Sequence, residues 1–340
     1  MITKILPRFA GVNYALARNF STTRNNNNKV TVVGGAGGIG GPLCLLLKLQ
    51  PDLVTELNIQ DIHKMTPGVA LEISHICTAV KVKSFTGAGE LKNSLQGADI
   101  VIIPGGVPRK PGMTRDDLFG ANAGVVKDVA VACSEACPDA LINIITNPVN
   151  SCVPIFCEVM KKAGKLKPGK IFGISTLDLV RASTFIGNLK GLDPSKVVCP
   201  VIGGHSGISI VPLVSQCKPP VNFSLDELKT LIHNIQHAGT HVVKAKAGFG
   251  SAQLAMAYAG ARIAFNLLRA KKGEQNIVEC SYTMNDSHQT GYFSSKLLLG
   301  KNGIEKDLGI GKVTDFEQDL INKAKDAIKK NVAKGVSFVK

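Results

Sequence analysis

Seven residues, Gly34-Gly35-Ala36-Gly37-Gly38-Ile39-Gly40, constrain this chain more than any other stretch. They stand between a β-branched run, residues 30–33, and a Leu-rich stretch of helical period, residues 38–49. The first glycine permits a tight strand-to-helix turn. The middle ones let the backbone approach a pyrophosphate, and Gly40 allows close packing of helix on strand. The N-terminus of the following helix then faces the phosphates. Asp61 follows Gly40 by 21 residues, at the end of a second strand, 57–60. An acid there hydrogen-bonds the adenosine ribose hydroxyls, and its charge repels a 2′-phosphate, so NAD is favoured over NADP.

The rest of the chain fits that start. Residues 100–103 and 141–145 are continuous apolar runs, as strands buried on both faces should be. Residues 116–137, between them, have helix length and period. Strands alternating with helices imply a parallel, doubly wound sheet. After about residue 171 the texture changes. Strands are expected at 197–202, 208–211, 277–283 and 293–299. Ser224-Leu225-Asp226-Glu227 is a capping box opening a long helix, and residues 251–268 form another. Thr314-Asp315-Phe316-Glu317 opens a final helix whose stripe is Phe316, Leu320, Ile321, Ala324, Ala327 and Ile328. The fold class expected is α/β: a Rossmann-type doubly wound parallel sheet over 29–172, then an α+β catalytic domain over 173–340.

Charge raises a different possibility. Lys and Arg number 40 against 25 Asp and Glu, a formal net charge of +15, which prompts a nucleic-acid-binding reading. Aromatic residues are 5% and Trp is absent, so a base-stacking surface has no platforms. The excess also sits at the ends. Six cations and no acid precede Asp52, and six lysines against Asp326 follow residue 322. Residues 1–28 combine spaced cations with apolar residues, the composition of a mitochondrial transit peptide, and Arg18-Asn19-Phe20-Ser21 resembles a matrix-peptidase site. Nine cysteines without a C-x-x-C pair argue against a disulfide scaffold or zinc ribbon. No apolar run is long enough to span a bilayer. Neither a nucleic-acid nor a membrane partner is expected.

Four further segments carry chemistry: Pro108 to Arg115, Ile145-Thr146-Asn147-Pro148-Val149-Asn150, Thr176-Leu177-Asp178-Leu179-Val180-Arg181, and Ile202-Gly203-Gly204-His205-Ser206-Gly207. Reducing a 2-oxo acid needs a hydride donor, a proton donor, a carboxylate clamp and a charge on the carbonyl. Imidazole titrates near neutral pH, so His205 suits the proton transfer. Asp178 can hold its other ring nitrogen and stabilise the imidazolium. Arg181, three residues further along one helix face, suits a bidentate carboxylate clamp. Arg109 and Arg115 flank a loop in which Pro108, Pro111 and Gly112 oppose regular structure, as in a lid.

In this order, and with Ala257 to Arg262 and Gly309 to Val313, these segments resemble the lactate/malate dehydrogenase family, its mitochondrial malate branch in particular. The resemblance runs from about Lys29 to the C-terminus. It implies that Arg115 polarises the carbonyl and Arg109 binds the distal carboxylate, where lactate enzymes carry a neutral Gln. It implies that Asn147 bridges substrate and nicotinamide, and that Asn122, Ile145, Thr146 and Met256 contact NAD. It further implies a dicarboxylate substrate (malate or oxaloacetate), a homodimer and a place in the mitochondrial matrix. A lactate-type enzyme is the nearest alternative. Two features are expected to be decoys. His233, His237 and His241 share a helix face but lack a fourth ligand. Tyr292 and Lys296 have the Tyr-x-x-x-Lys spacing of short-chain dehydrogenases, yet fall in a strand pattern about 250 residues beyond the glycine turn.

Overall fold

The computed structural model describes residues 28–107 and 115–340. The basic N-terminal segment and Arg109 lie outside the described residues.

The first half runs β1 (Lys29–Val33), α1 (Gly40–Lys48), β2 (Glu56–Asp61), α2 (Thr66–Ser74), β3 (Lys81–Thr86), α3 (Leu91–Leu95), β4 (Ile100–Ile103), α4 (Arg115–Ala136), β5 (Leu141–Ile144), α5 (Val149–Lys162) and β6 (Ile171–Gly173). The second runs α6 (Thr176–Lys190), β7 (Val201–Gly203), β8 (Ile210–Pro212), α7 (Leu225–Ala245), α8 (Leu254–Lys271), β9 (Ile277–Met284), β10 (Tyr292–Gly300), β11 (Gly303–Asp307) and α9 (Asp315–Val339). The first six strands are parallel in the order β3-β2-β1-β4-β5-β6. That is the doubly wound dinucleotide-binding order. Every residue of β4 and β5 is buried, which is why both read as unbroken apolar runs. The antiparallel strands continue the same sheet, joined where Gly173 of β6 pairs with Tyr282 of β9.

Helices cover both faces. Phe119, Val126 and Cys133 of α4, Cys152 and Phe156 of α5, and Ile321, Ala324 and Ile328 of α9 pack one side. Leu43 and Leu47 of α1 pack the other with Ala257, Ile263 and Leu267 of α8. Both capping boxes form: Ser224 Oγ accepts from Glu227 N, and Thr314 Oγ1 accepts from Glu317 N. Glu317 does more. Its buried carboxylate also takes Ser215 N at 3.0 Å and Ser215 Oγ at 2.6 Å, which docks the start of α9.

Some elements differ from expectation. Residues 197–202 do not form one strand. Only Val201–Gly203 joins the sheet, and Val198 makes an isolated bridge to Lys218. Pro200 has no N–H for the ladder, so pairing breaks there. The strand expected at 208–211 begins at Ile210, because a 3₁₀ turn takes Gly207–Ser209. β3 and β11 carry too few buried residues to announce themselves in sequence. Tyr292 and Lys296 do lie on a strand, β10, with Lys296 Nζ donating to Gln216 Oε1.

Eight of the nine cysteines are buried and none is paired in a disulfide. Burial pushes the Cys152, Cys157 and Cys280 thiols up to about 12, so they pack as small apolar groups. Among the described residues no helix is long and apolar enough to cross a membrane.

Candidate active site

The glycine turn follows β1 at the C-terminal edge of the sheet. Gly34 has φ +95°. A Cβ there would lie 2.4 Å from Gly105 Cα, so the turns after β1 and β4 touch without side chains between them. Helices leave these two strands toward opposite faces, which opens the switch-point crevice. Gly34 N and Gly35 N donate to Gln60 O, fixing the turn on β2. Asp61, ending β2, accepts Ala36 N at 3.0 Å and so stands beside the turn, half-buried. Gly40 is the packing glycine: a Cβ would lie 2.1 Å from Gly34 O and 2.6 Å from Gly35 Cα. Gly35, Ala36, Gly37, Gly38 and Ile39 complete the turn and lead into the N-terminus of α1, whose first N–H groups can meet an anion. A dinucleotide diphosphate fits this cradle, and the Asp61 carboxylate fits a ribose diol. Gly40→Ala is expected to cost on the order of 3 kcal/mol through that clash. A thermal unfolding curve with and without NADH checks it: both the melting point and its rise on adding NADH should fall.

The sequence-predicted catalytic group assembles across the second half. Asp178 stands in the first turn of α6, fully buried. Its Oδ2 lies 2.6 Å from His205 Nδ1. Arg181, one turn along, places a guanidinium nitrogen 3.6 Å from Asp178 Oδ1. That guanidinium is 13% exposed, and burial pulls it below the ordinary arginine value against the opposing pull of Asp178. Arginine keeps its charge in proteins, so this is a largely buried cation beside the carboxylate that holds the imidazole.

His205 sits after β7 on a turn that cannot relax. Gly203 has φ +93°, and a Cβ there would lie 2.2 Å from Ser209 O. Asn150, in the first turn of α5, accepts His205 N on its Oδ1 at 2.8 Å. Its Nδ2 contacts Ser209 Oγ at 3.2 Å and Asn331 Oδ1 of α9 at 3.1 Å, and its backbone carbonyl accepts the Tyr282 hydroxyl at 3.3 Å. Asn150, Ser209, Tyr282 and Asn331 thus hold the histidine turn, and sequence reasoning assigned none of them a role. The signal for Asn150 was its place in the Asn-Pro-Val-Asn segment. Asn331 gave none, since one Asn among lysines on α9 reads as solvated surface.

Of the residues that the resemblance assigns to NAD, Asn122 and Thr146 bond to the 104–107 loop at the C-terminal edge of the sheet. Asn122 of α4 accepts Val107 N at 2.7 Å and donates to Asn147 O at 2.7 Å. Thr146 Oγ1 donates to Gly105 O at 2.6 Å and Ile103 O at 3.0 Å. Ile145 and Met256 are buried in the core below. Asn122 therefore ties the 104–107 loop to Asn147, and Asn150, three residues further on, holds the backbone of His205. Arg115 begins α4, and Arg109 lies outside the described residues. His233 and His237 stack at 4.1 Å on α7, with His237 Nδ1 donating to His233 O at 2.9 Å.

A switch-point glycine turn with its acid, joined to a His–Asp–Arg cluster, defines a class: dinucleotide-binding oxidoreductases. The lactate/malate dehydrogenase NAD binding domain matches residues 28–173, and the alpha/beta C-terminal domain of the same family matches residues 175–339. The chain belongs to the lactate/malate dehydrogenase family. It is 55% identical over 329 residues to the mitochondrial malate dehydrogenase of Rattus norvegicus, covering 97% of each chain. Malate dehydrogenase of Cryptosporidium parvum superposes with a TM-score of 0.78 at 30% identity, over 92% of this chain and 99% of that one. Lactate dehydrogenase of the same organism, complexed with lactic acid and nicotinamide adenine dinucleotide, superposes with a TM-score of 0.76 at 25% identity, over 90% and 98%.

Proposed function

We propose that this chain is an NAD-dependent malate dehydrogenase, interconverting (S)-malate and oxaloacetate in the tricarboxylic acid cycle. The observation that carries the reading is the 2.6 Å His205–Asp178 contact with Arg181 beside it. The turn Gly34 to Gly40 and Asp61 would hold the dinucleotide, whose nicotinamide supplies the hydride acceptor when bound. The remaining work belongs to side chains. His205 Nε2 takes the proton of the malate hydroxyl, because Nδ1 is committed to Asp178. The buried carboxylate stabilises the imidazolium so formed. Arg181 clamps the carboxylate next to the reacting carbon. Asn147 orients the substrate from the end of β5, and by resemblance Arg115 polarises the carbonyl while Arg109 pairs with the distal carboxylate. Two carboxylates match two arginine clamps, which favours oxaloacetate over pyruvate.

The N-terminal composition supports import into the mitochondrial matrix, where a malate dehydrogenase would work as a homodimer. A substrate panel with NADH tests the reading. Oxaloacetate should be reduced and pyruvate hardly at all. Arg109→Gln should shift that preference toward pyruvate by at least tenfold, since a clamp facing a methyl group leaves a desolvated cation unpaired. Failure to oxidise NADH with oxaloacetate would sink the proposal.

A further inference from the structure

The segment between α7 and α8 reaches the glycine turn. The side chain of Gln253, the residue before α8, lies directly on Gly38. A Cβ at Gly38 would meet Gln253 Nε2 at 2.1 Å and its Cδ at 2.7 Å. Only a glycine lets this amide approach. The amide is also held from behind: Lys246 Nζ donates to Gln253 Oε1 at 2.9 Å and to Ser251 O at 3.1 Å. An ammonium offers donors only, so the amide must present its oxygen to Lys246 and its NH₂ to the turn. Lys246 is half-buried, which concentrates its charge on this spot.

The consequence is chemical. In the cradle built from residues 34–40 the N–H groups of Gly34, Gly35, Ala36 and Gly37 already donate to Gln60 O, Asp61 Oδ2 and Gly34 O, which leaves the N–H groups at the start of α1 for a ligand. The second half of the chain adds an oriented NH₂ and a cation within one amide of Gly38. We infer that Gln253, oriented by Lys246, is a ligand-binding residue for the dinucleotide diphosphate, a donor wall opposite the glycine turn. This rests on the NAD reading proposed above. It assigns to the α7–α8 segment a role in cofactor affinity that its distance in sequence from the glycine turn conceals. It also links dinucleotide binding in the first half to the helix that carries Met256 in the second.

The test is binding rather than turnover. ADP-ribose carries the diphosphate without the nicotinamide. Its dissociation constant is measured by calorimetry, and that of NADH by fluorescence, for the wild-type chain, Gln253→Ala, Gln253→Glu and Lys246→Met. Gln253→Ala should weaken both ligands about five- to tenfold, the scale of one hydrogen bond to a charged acceptor. Gln253→Glu keeps the size but replaces donors with a carboxylate, so the loss should exceed that of the alanine variant. Lys246→Met frees the amide to rotate and should weaken both ligands several-fold. Unliganded melting points near wild type establish that the variants fold. Unchanged or tighter ADP-ribose binding by Gln253→Ala, or equal binding by the glutamate variant, would overturn the inference. A wild-type chain that binds neither ligand would instead overturn the NAD reading itself.

Discussion

His205→Asn is expected to lower kcat for oxaloacetate reduction by about 10³-fold, within the range for loss of a positioned general acid–base. NADH affinity stays close to wild type, because the histidine turn lies across the crevice from the glycine cradle. Asparagine is chosen for what it preserves. Its amide can donate to Asp178, which is fully buried and would otherwise lose the 2.6 Å contact that satisfies its Oδ2. The backbone bond from residue 205 to Asn150 Oδ1 does not involve the side chain and survives. What the variant lacks is an imidazole Nε2 that can take and return the proton. Steady-state rates with saturating NADH, alongside fluorescence titration of NADH, separate chemistry from binding. A variant that keeps the wild-type rate would show that the proton travels by another route, and the mechanism would be wrong.

Asp178→Asn is expected to cost about 10²-fold or more in the same step while leaving the fold intact. The substitution conserves volume at a site with no exposed surface. It removes the carboxylate that stands between His205 and Arg181. In the wild type the carboxylate touches Nδ1 of His205 at 2.6 Å and approaches Arg181 at 3.6 Å. With a neutral amide there, the imidazolium formed during malate oxidation faces the Arg181 guanidinium unscreened, and like charges at close range disfavour it. The amide can also turn its NH₂ to Nδ1, which imposes the tautomer unable to accept at Nε2. Because the variant leaves the overall equilibrium untouched, the loss appears in both directions at unaltered cofactor affinity. Rates measured from malate with NAD⁺ and from oxaloacetate with NADH check this. Wild-type turnover would mean that the Asn150 bond alone orients the ring.

Periodicity made the parallel sheet legible because β4 and β5 are buried on both faces and so carry unbroken apolar runs. It failed where burial is partial. Edge strand β3 shows three exposed lysine or serine positions, and nothing in its six residues separates it from a loop. Pro200 offers no N–H to the ladder, so the strand expected over 197–202 shortens to Val201–Gly203. The candidate triplet of Asp178, Arg181 and His205 was readable for a different reason. Asp178 and Arg181 share a helical turn, so their adjacency is local, and His205 carries a side chain with few purely structural uses.

By itself the sequence determined the glycine turn with its acid, the helix caps and the chemical identity of the reacting groups, since each depends on residues near one another along the chain. Tertiary structure decided what those groups are held by. Lys48, a cation that ends an apolar run, is buried with its ammonium bonded to the carbonyls of Thr78 and Val80. Asn331, on a lysine-rich helix, reaches Asn150 across 181 positions of chain and so supports the histidine turn. Gln253 finds Gly38 in the same way. Hydrogen bonds act over about 3 Å of space and are blind to sequence separation. Which polar side chains become buried partners, and which stay in water, is settled only when the layers pack.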